Sequence, residues 1–401
     1  MKVSYIKGNK EYGIKYDWKH IKKRMNKLGI PDDVFNPASC PLEYCKYFVD
    51  VSERNIGKTT NWLLLGMIMN DDYGTVIQYV RQRDENITPK YTKDLFNTIL
   101  EFDYVSKVTN GKYSSVFYKS RRWYYCNTDE NGKPIDIAPE HFMFMCSVEK
   151  REDLKSGYNA PTGDLIIYDE FINKYYYPNE FCEFSDLTKT IIRGRRAPII
   201  AMLANTINPH SPYYNELMIY DEIQTVRTGE SKLITTPKGT KIHYCKIGAT
   251  IEKRKKNSII NQLFYGFNNP LLASITGDDE YAIKSYQHIP ELDEEKKESV
   301  ETISRLIYIY YNNKYVRLDV VSHSTLGICI YIHWATRTYD DSVILTAEYR
   351  YDNRYLYRYG TGNLEKFLKR MIAENRIYYA TNDVGCFVEN YFNYVKMLKT
   401  Y

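Results

Sequence analysis

The run YFVDVSERNIGKTTNWLLLGMIM, residues 47–69, constrains this chain more than any other stretch. A short β-rich segment enters a loop ending in Gly57-Lys58-Thr59-Thr60, and an apolar run of helical length follows. Strand, glycine-bearing loop and helix in that order is the setting of a phosphate-binding loop, G-x-x-x-x-G-K-[ST]. In such a loop backbone N–H groups cradle phosphates, the lysine ammonium reaches the outer phosphate oxygens, and the hydroxyl after it binds Mg²⁺. Lys58 and Thr59 stand in those places, and Gly57 allows the close turn. Ser52, Arg54, Asn55, Ile56 and Thr60 complete the candidate cradle. Two positions depart from the pattern: Ser52 replaces its first glycine, and Arg54-Asn55 fills a stretch where glycine often helps the loop curl. By itself the run could also be a loop entering a helix, with Lys58 a solvated charge.

A nucleotide site of this kind needs a second half on a buried strand, and LIIYDE supplies it. Asp169 would hold Mg²⁺ or its water, and Glu170 would polarise the water that attacks the γ-phosphate of ATP. Two adjacent acids at the end of an apolar strand are costly unless a metal or a cation faces them. The plainer alternative is that they cap the following turn. A third apolar run, IIAMLAN, ends in Asn205. In additional-strand P-loop ATPases a polar residue here touches the γ-phosphate or the water, although a turn asparagine before TINP fits as well. Arg54 is a candidate charge stabiliser within the loop, because a bidentate donor suits developing phosphoryl charge. Arg193, Arg195 and Arg196 in IIRGRRAP form a basic cluster, from which one residue could serve a neighbouring subunit as an arginine finger and the others contact nucleic acid. An ordinary basic turn is the alternative.

Composition sets the outer limits. At 401 residues two or three domains are expected, and 43% hydrophobic with 26% charged residues is ordinary for a globular protein. No apolar run has the length of a bilayer span, and the N-terminus lacks an apolar signal segment, so no membrane association and a cytoplasmic location are expected. The eight cysteines lie scattered without a C-x-x-C pair, which favours reduced thiols over a disulfide framework or zinc site. A net charge of +5 does not by itself establish nucleic-acid binding. The 41 tyrosines could be stacking platforms for bases, but they spread over the whole chain, as a codon bias toward Tyr, Asn, Ile and Lys would produce.

The motifs together resemble the DNA-encapsidation ATPases of small short-tailed bacteriophages, the phi-twenty-nine-like packaging motors, which are related to large terminase subunits. The resemblance rests on RNIGKT, VIQYVRQR, DLIIYDEFINKYYYPNE and TIIRGRRAPIIAMLANTINPHSPYY, in matching order, and covers about residues 45–225. It implies that Arg54 is the loop arginine, Lys58 the Walker A lysine and Glu170 the catalytic base. It implies further that Arg193 and Lys155 act across a subunit interface, which demands a ring, usually of five subunits, on the portal vertex of an empty capsid. The implied partners are double-stranded DNA, the portal or connector and the procapsid, with room for a structural RNA. Ser52 and Asn55 are glycine in the familiar relatives. Asn tolerates a left-handed backbone better than other non-glycine residues, so these departures read as conservative.

The expected fold is α/β: an additional-strand, RecA-like P-loop ATPase domain with a largely parallel sheet over residues 1–229, a linker or lid subdomain over 230–300, and an α+β RNase H-like domain over 301–401. An active nuclease of that kind holds two metals with acids on its strands. The run RLIYIYY has no acid, Asp319 lies on the next strand, and Asp340-Asp341 falls in a turn, so a vestigial nuclease is the expectation. The function expected is ATP-driven packaging of double-stranded DNA. A helicase-like ATPase and a non-catalytic DNA or portal adaptor with a degenerate P-loop are the alternatives.

Overall fold

A computed structural model of the chain describes residues 16–52, 56–92, 94–155, 165–172, 179–192, 198–204, 210–247, 286–288, 300–347, 350–357 and 363–398. Residues up to 172, then 179–192, 198–204 and 217–247, belong to one compact unit, and 210–216 with 286 onward to another. Most of the expected linker, residues 248–285 and 289–299, lies outside the described residues. No described helix is long and apolar enough to cross a membrane.

The first unit is built on one sheet. Its strands are β1 (Tyr47–Val51), β2 (Ile77–Arg81), β3 (Ser115–Lys119), β4 (Arg122–Thr128), β5 (Pro134–Ile135), β6 (Met143–Ser147), β7 (Leu165–Asp169), β8 (Ile199–Ala204), β9 (Glu230–Thr235) and β10 (Lys241–Lys246). The order is β3-β4-β6-β2-β7-β8-β1-β10-β9, with β5 on β4, and the run from β6 to β10 is parallel throughout. The strands β6, β7 and β8 are buried along their whole length, which is why each reads as an unbroken apolar run rather than an alternation. The strand β8 stands between β1 and β7, so the P-loop strand and the acid-bearing strand are separated by one more strand, as in the additional-strand class. Because β10 pairs in parallel with β1 and carries β9 on its far edge, the sheet runs on past residue 229, where the sequence reading set a boundary.

Helix α1 (Trp18–Lys27) starts at Asp17, whose carboxylate accepts the His20 N–H at 3.0 Å. Helix α2 (Lys58–Tyr73) buries Trp62 through Met69 on every side, as an apolar helix laid against a sheet must. It stops at Gly74, in the left-handed conformation (φ 71°), whose N–H donates to the Asn70 carbonyl at 2.7 Å. The acids Asp71 and Asp72 oppose the helix dipole at this end, and Arg24 of α1 pairs with both. Gly66 is where α2 meets the sheet most closely: a Cβ there would lie 2.6 Å from Ile77 and 2.9 Å from Leu165. The β3–β4 hairpin turns through Ser120 and Arg121, both with positive φ, a geometry more common with Asn-Gly.

Asp50 is a buried acid in the core of this unit. It lies in β1, fully buried, accepting the Trp62 indole N–H at 2.7 Å, while its other oxygen has no hydrogen-bond partner. Burial raises its pKa to about 7, only partly offset by the Trp62 bond and the Lys58 charge.

The second unit has strands β11 (Val300–Tyr311), β12 (Lys314–His323), β13 (Gly327–Ala335), β14 (Val343–Thr346), β15 (Tyr355–Tyr357) and β16 (Ile377–Tyr379), in the order β15-β14-β11-β12-β13-β16. An antiparallel meander, β11-β12-β13, is extended by β14 parallel to β11 and β15 parallel to β14, the arrangement of an RNase H-like sheet. The β11–β12 turn is Asn312-Asn313, both left-handed, as the pair of asparagines predicts. The strand β11 begins earlier than RLIYIYY and takes in Glu301. Ile309, Leu318 and Ile332 on one sheet face pack with Leu368 of α3 (Asn363–Ala373) and with Phe387 and Tyr391 of α4 (Asn382–Leu398). The same core takes in a segment from far upstream. His210 is wholly buried, stacks edge-on to Phe387 at 5.4 Å, pairs with Asp383 at 2.6 Å, and its carbonyl accepts the Asn312 amide at 2.9 Å.

Two measurements check this packing. Gly66→Val should cost about 2–3 kcal/mol by overpacking against Ile77 and Leu165, read by urea denaturation. An unchanged midpoint would refute the close approach. Asp50 is neutral in the folded chain and ionised in the unfolded chain between pH 4 and 7, so its contribution to stability is lost as pH rises through that range and is level above about 7. The advantage in melting temperature of Asp50→Asn over the parent should therefore grow from pH 4 to 7 and then hold steady.

Candidate nucleotide site

The site forms where β1, β2 and β7 end and α2 begins. Ser52 follows β1, and its backbone N–H donates to the Ala204 carbonyl at the end of β8, 3.2 Å away. Residues 53–55, Arg54 and Asn55 among them, lie outside the described residues. The chain is described again at Ile56, buried and pinned through its carbonyl, which accepts the Phe35 N–H at 2.9 Å. Gly57 is left-handed (φ 77°), and a Cβ on it would meet the Asn61 amide at 3.1 Å and Val34 at 3.4 Å. A side chain at this position is therefore opposed by both backbone angle and space, which accounts for the one pattern glycine the loop keeps.

The Lys58 side chain is nearly buried and its ammonium donates to the Ser52 hydroxyl. The serine thus fills with a hydroxyl the place where the pattern has glycine, and gives the lysine a neutral partner. Lys58 is also the first residue of a sixteen-residue helix, so its first-turn N–H groups and the positive end of the helix dipole face the same spot. Thr59 donates its hydroxyl to Asp169 Oδ1 at 3.1 Å, and Thr60 follows half-buried on α2. Thr59 and Asp169 are the pair from which Mg²⁺ coordination was expected, and two hard oxygen donors held side by side suit that ion.

Asp169 is the most heavily engaged group. Besides Thr59, its Oδ2 accepts from the Tyr79 hydroxyl at 2.6 Å and from Arg81 Nη1 at 3.2 Å. The other arm of the Arg81 guanidinium donates to Glu170 Oε2. Burial alone would lower the Arg81 pKa, but Tyr79, Asp169 and Glu170 outweigh it and the guanidinium is held above its ordinary value. Burial drives the Tyr79 hydroxyl well above the usual phenol range, so it stays a donor. Tyr79 and Arg81 carry no expectation from the sequence beyond the strand TVIQYVRQ. Their signal was available: an arginine closing an apolar strand is the cation that two adjacent acids require.

The remaining candidates fall at the margins. Lys155 ends the short helix Arg151–Lys155, with its side chain outside the described residues, and Arg151 ties that helix by a 3.0 Å ion pair to Glu183 of the helix Glu180–Ile192. Arg193, with Arg195 and Arg196, directly follows that helix, and Asn205 directly follows β8; all four lie outside the described residues. Glu180, at the start of the same helix, is buried and accepts from Gln82 at 2.7 Å and Tyr168 at 3.1 Å, which fastens the helix to β2 and β7.

No protein-family model matches the chain, and no curated protein sequence matches it. Among solved structures it is similar to the bacteriophage Phi-29 viral genome packaging motor assembly, at 16% identity and TM-score 0.53, over 91% of this chain and 100% of that one. It is similar also to the Phi-28 gp11 DNA packaging motor, at 14% identity and TM-score 0.51, over 91% of this chain and 99% of that one. Likeness at such identities is likeness of fold. The chain shares the fold of these phage DNA-packaging motor proteins along nearly its whole length.

Proposed function

We propose that the chain is an ATP-driven double-stranded DNA translocase that packages a viral genome into a preformed capsid as a ring oligomer. The observation that carries this reading is the convergence of Lys58, Thr59, Asp169 and Glu170 on one sheet end, at the N-terminus of α2, in a fold shared with packaging motors. In this reading Lys58 and the N–H groups of the loop bind the ATP phosphates, with Ser52 keeping the ammonium in place. Thr59 and Asp169 would hold Mg²⁺, which supplies charge neutralisation on the phosphates. Glu170, the more exposed of the two acids, takes a proton from the attacking water. Arg54 is the charge stabiliser within the loop, Asn205 the contact at the end of β8, and Lys155 and Arg193 are offered to a neighbour's site.

The RNase H-like unit is read as a non-cutting domain. Its strand acid Asp319 is taken up by a two-armed Arg317 pair at 2.7 and 2.9 Å and by His333 at 3.1 Å. Burial would raise the Asp319 pKa, but His333 and Arg317 together hold it below the ordinary value. The acid is thus already engaged by a guanidinium and an imidazole on the same sheet. The portal, the procapsid, a five-membered ring and a structural RNA remain the proposed partners, met in the host cytoplasm at the portal vertex.

DNA-stimulated ATP hydrolysis is the deciding measurement. Duplex DNA should raise turnover, and rising salt should weaken DNA binding along a straight log–log line, because the contacts are to phosphates. A preference for single strands with strand separation would favour a helicase, and no hydrolysis at all would favour an adaptor. Glu170→Gln should lower turnover by about 10²–10⁴-fold while leaving ATP binding intact; full activity in that variant sinks the mechanism. Mixing Lys58→Ala with Arg193→Ala subunits should restore some hydrolysis, since certain neighbours then pair an intact site with an intact finger. No recovery is expected if Arg193 serves its own subunit.

A further inference from the structure

The elements that flank the phosphate-binding loop, β1 and α2, are joined by two contacts of the same pattern. Lys58 and Trp62 are four positions apart on α2, so they lie on one face, a turn from each other. Asp50 and Ser52, two positions apart where β1 ends, likewise point to one side. The Lys58 ammonium meets the Ser52 hydroxyl, and the Trp62 indole N–H donates to Asp50 at 2.7 Å, so the pairs are successive rungs between strand and helix. The Asp50 carboxyl thus sits one rung behind the ammonium that faces the nucleotide site, and the proposed chemistry gives it no role.

The surroundings of this carboxyl bring its charge change close to neutral pH. It is fully buried between β8 and β10, opposite Leu203 and Cys245, and has a single hydrogen bond where an ionised carboxylate can accept several. An acid so poorly supplied ionises only at a cost. Burial lifts its pKa to about 7, against the opposing pull of Trp62 and Lys58. The other titratable groups that face it keep one charge state across neutrality. Burial pushes the Cys45 and Cys245 thiols up to about 12 and raises Cys40 as well. Burial also lowers His243, on the same side of β10 as Cys245, to about 4. Once ionised, Asp50 places a negative charge behind Lys58 in a medium that screens little, and phosphates arriving at the same helix end must bind against it. Neutral, it leaves the field of the ammonium to the ligand.

We propose that Asp50 is a proton-linked part of the nucleotide site, which weakens the binding of ATP phosphates when ionised and takes up a proton when they bind. The inference rests on the reading of Lys58 and the N-terminal end of α2 as that site. The two effects are one linkage seen from either side: phosphates that strengthen the hold of Asp50 on its proton are themselves held more tightly while the proton stays. Nucleotide affinity is therefore greatest below about pH 7 and falls as pH rises through that value.

The test is calorimetric titration of the full chain with Mg·ADP, which binds without turnover, from about pH 6 to about pH 8.5 in buffers of differing ionisation enthalpy. The parent, Asp50→Asn and Trp62→Phe are compared, with melting temperatures as the folding control. Across that range the parent should lose about tenfold in affinity, and near pH 7.5 it should take up roughly half a proton more per ADP than Asp50→Asn does. Asp50→Asn, which keeps an acceptor for the indole without the charge, should hold the parent's low-pH affinity throughout, to within about threefold. Trp62→Phe removes a bond that favours the ionised acid, so its loss of affinity should move to higher pH. That variant stands in if Asp50→Asn does not fold. Equal pH profiles and proton counts for the parent and Asp50→Asn overturn the proposal, as does a Trp62→Phe profile that stays in place or moves to lower pH. If the parent binds Mg·ADP, those outcomes overturn the role of Asp50 alone. A parent that binds no Mg·ADP at any pH overturns the nucleotide-site reading and this one together.

Discussion

One carboxylate holds the nucleotide site together. Asp169 receives a hydroxyl from α2, a hydroxyl and a guanidinium from β2, and is itself the end of β7. A buried acid with this many donors is compensated where an isolated one would be costly, and removing any donor leaves charge exposed to a low dielectric. The same contacts set the spacing between the N-terminal end of α2 and the two acids that close β7. The distances of the site are thus a product of its electrostatics, and the sheet behind it supplies the stiffness.

The sheet does so through burial. The strands β7 and β8 lie wholly inside, with β1 beside β8, and α2 is pressed on them so closely at Gly66 that no side chain fits. Asp50 shows what that environment does to a charge: burial shifts its titration to about pH 7, and the Trp62 indole is its one direct bond. Asp169, on the next strand but one, stands instead among a guanidinium and two hydroxyls.

Much of this was legible in the sequence. The order of strand, GKT and helix, the apolar run before Asp169-Glu170, and the Asn312-Asn313 turn each follow from local chemistry, and each is found where its residues place it. What the sequence did not show is what pairing over distance creates. The hairpin 230–247 reads as the start of a new subdomain because its residues are polar and its turn is tight. Only its register with β1 makes it part of the first sheet. Arg81 is half legible: an arginine closing an apolar strand suits two adjacent acids, but only the pairing of β2 with β7 brings it to them. The left-handed Glu170 has no sequence signature at all: glutamate is not a residue that favours it, and its contact with Arg81 comes from eighty-nine positions away.

His210 has a consequence for where the chain could be cut. It and the following tyrosines belong to the second unit, although residues 217–247 after them belong to the first. The second unit is therefore assembled from separated stretches of sequence, and a fragment beginning at residue 301 would lack the buried imidazole that pairs with Asp383.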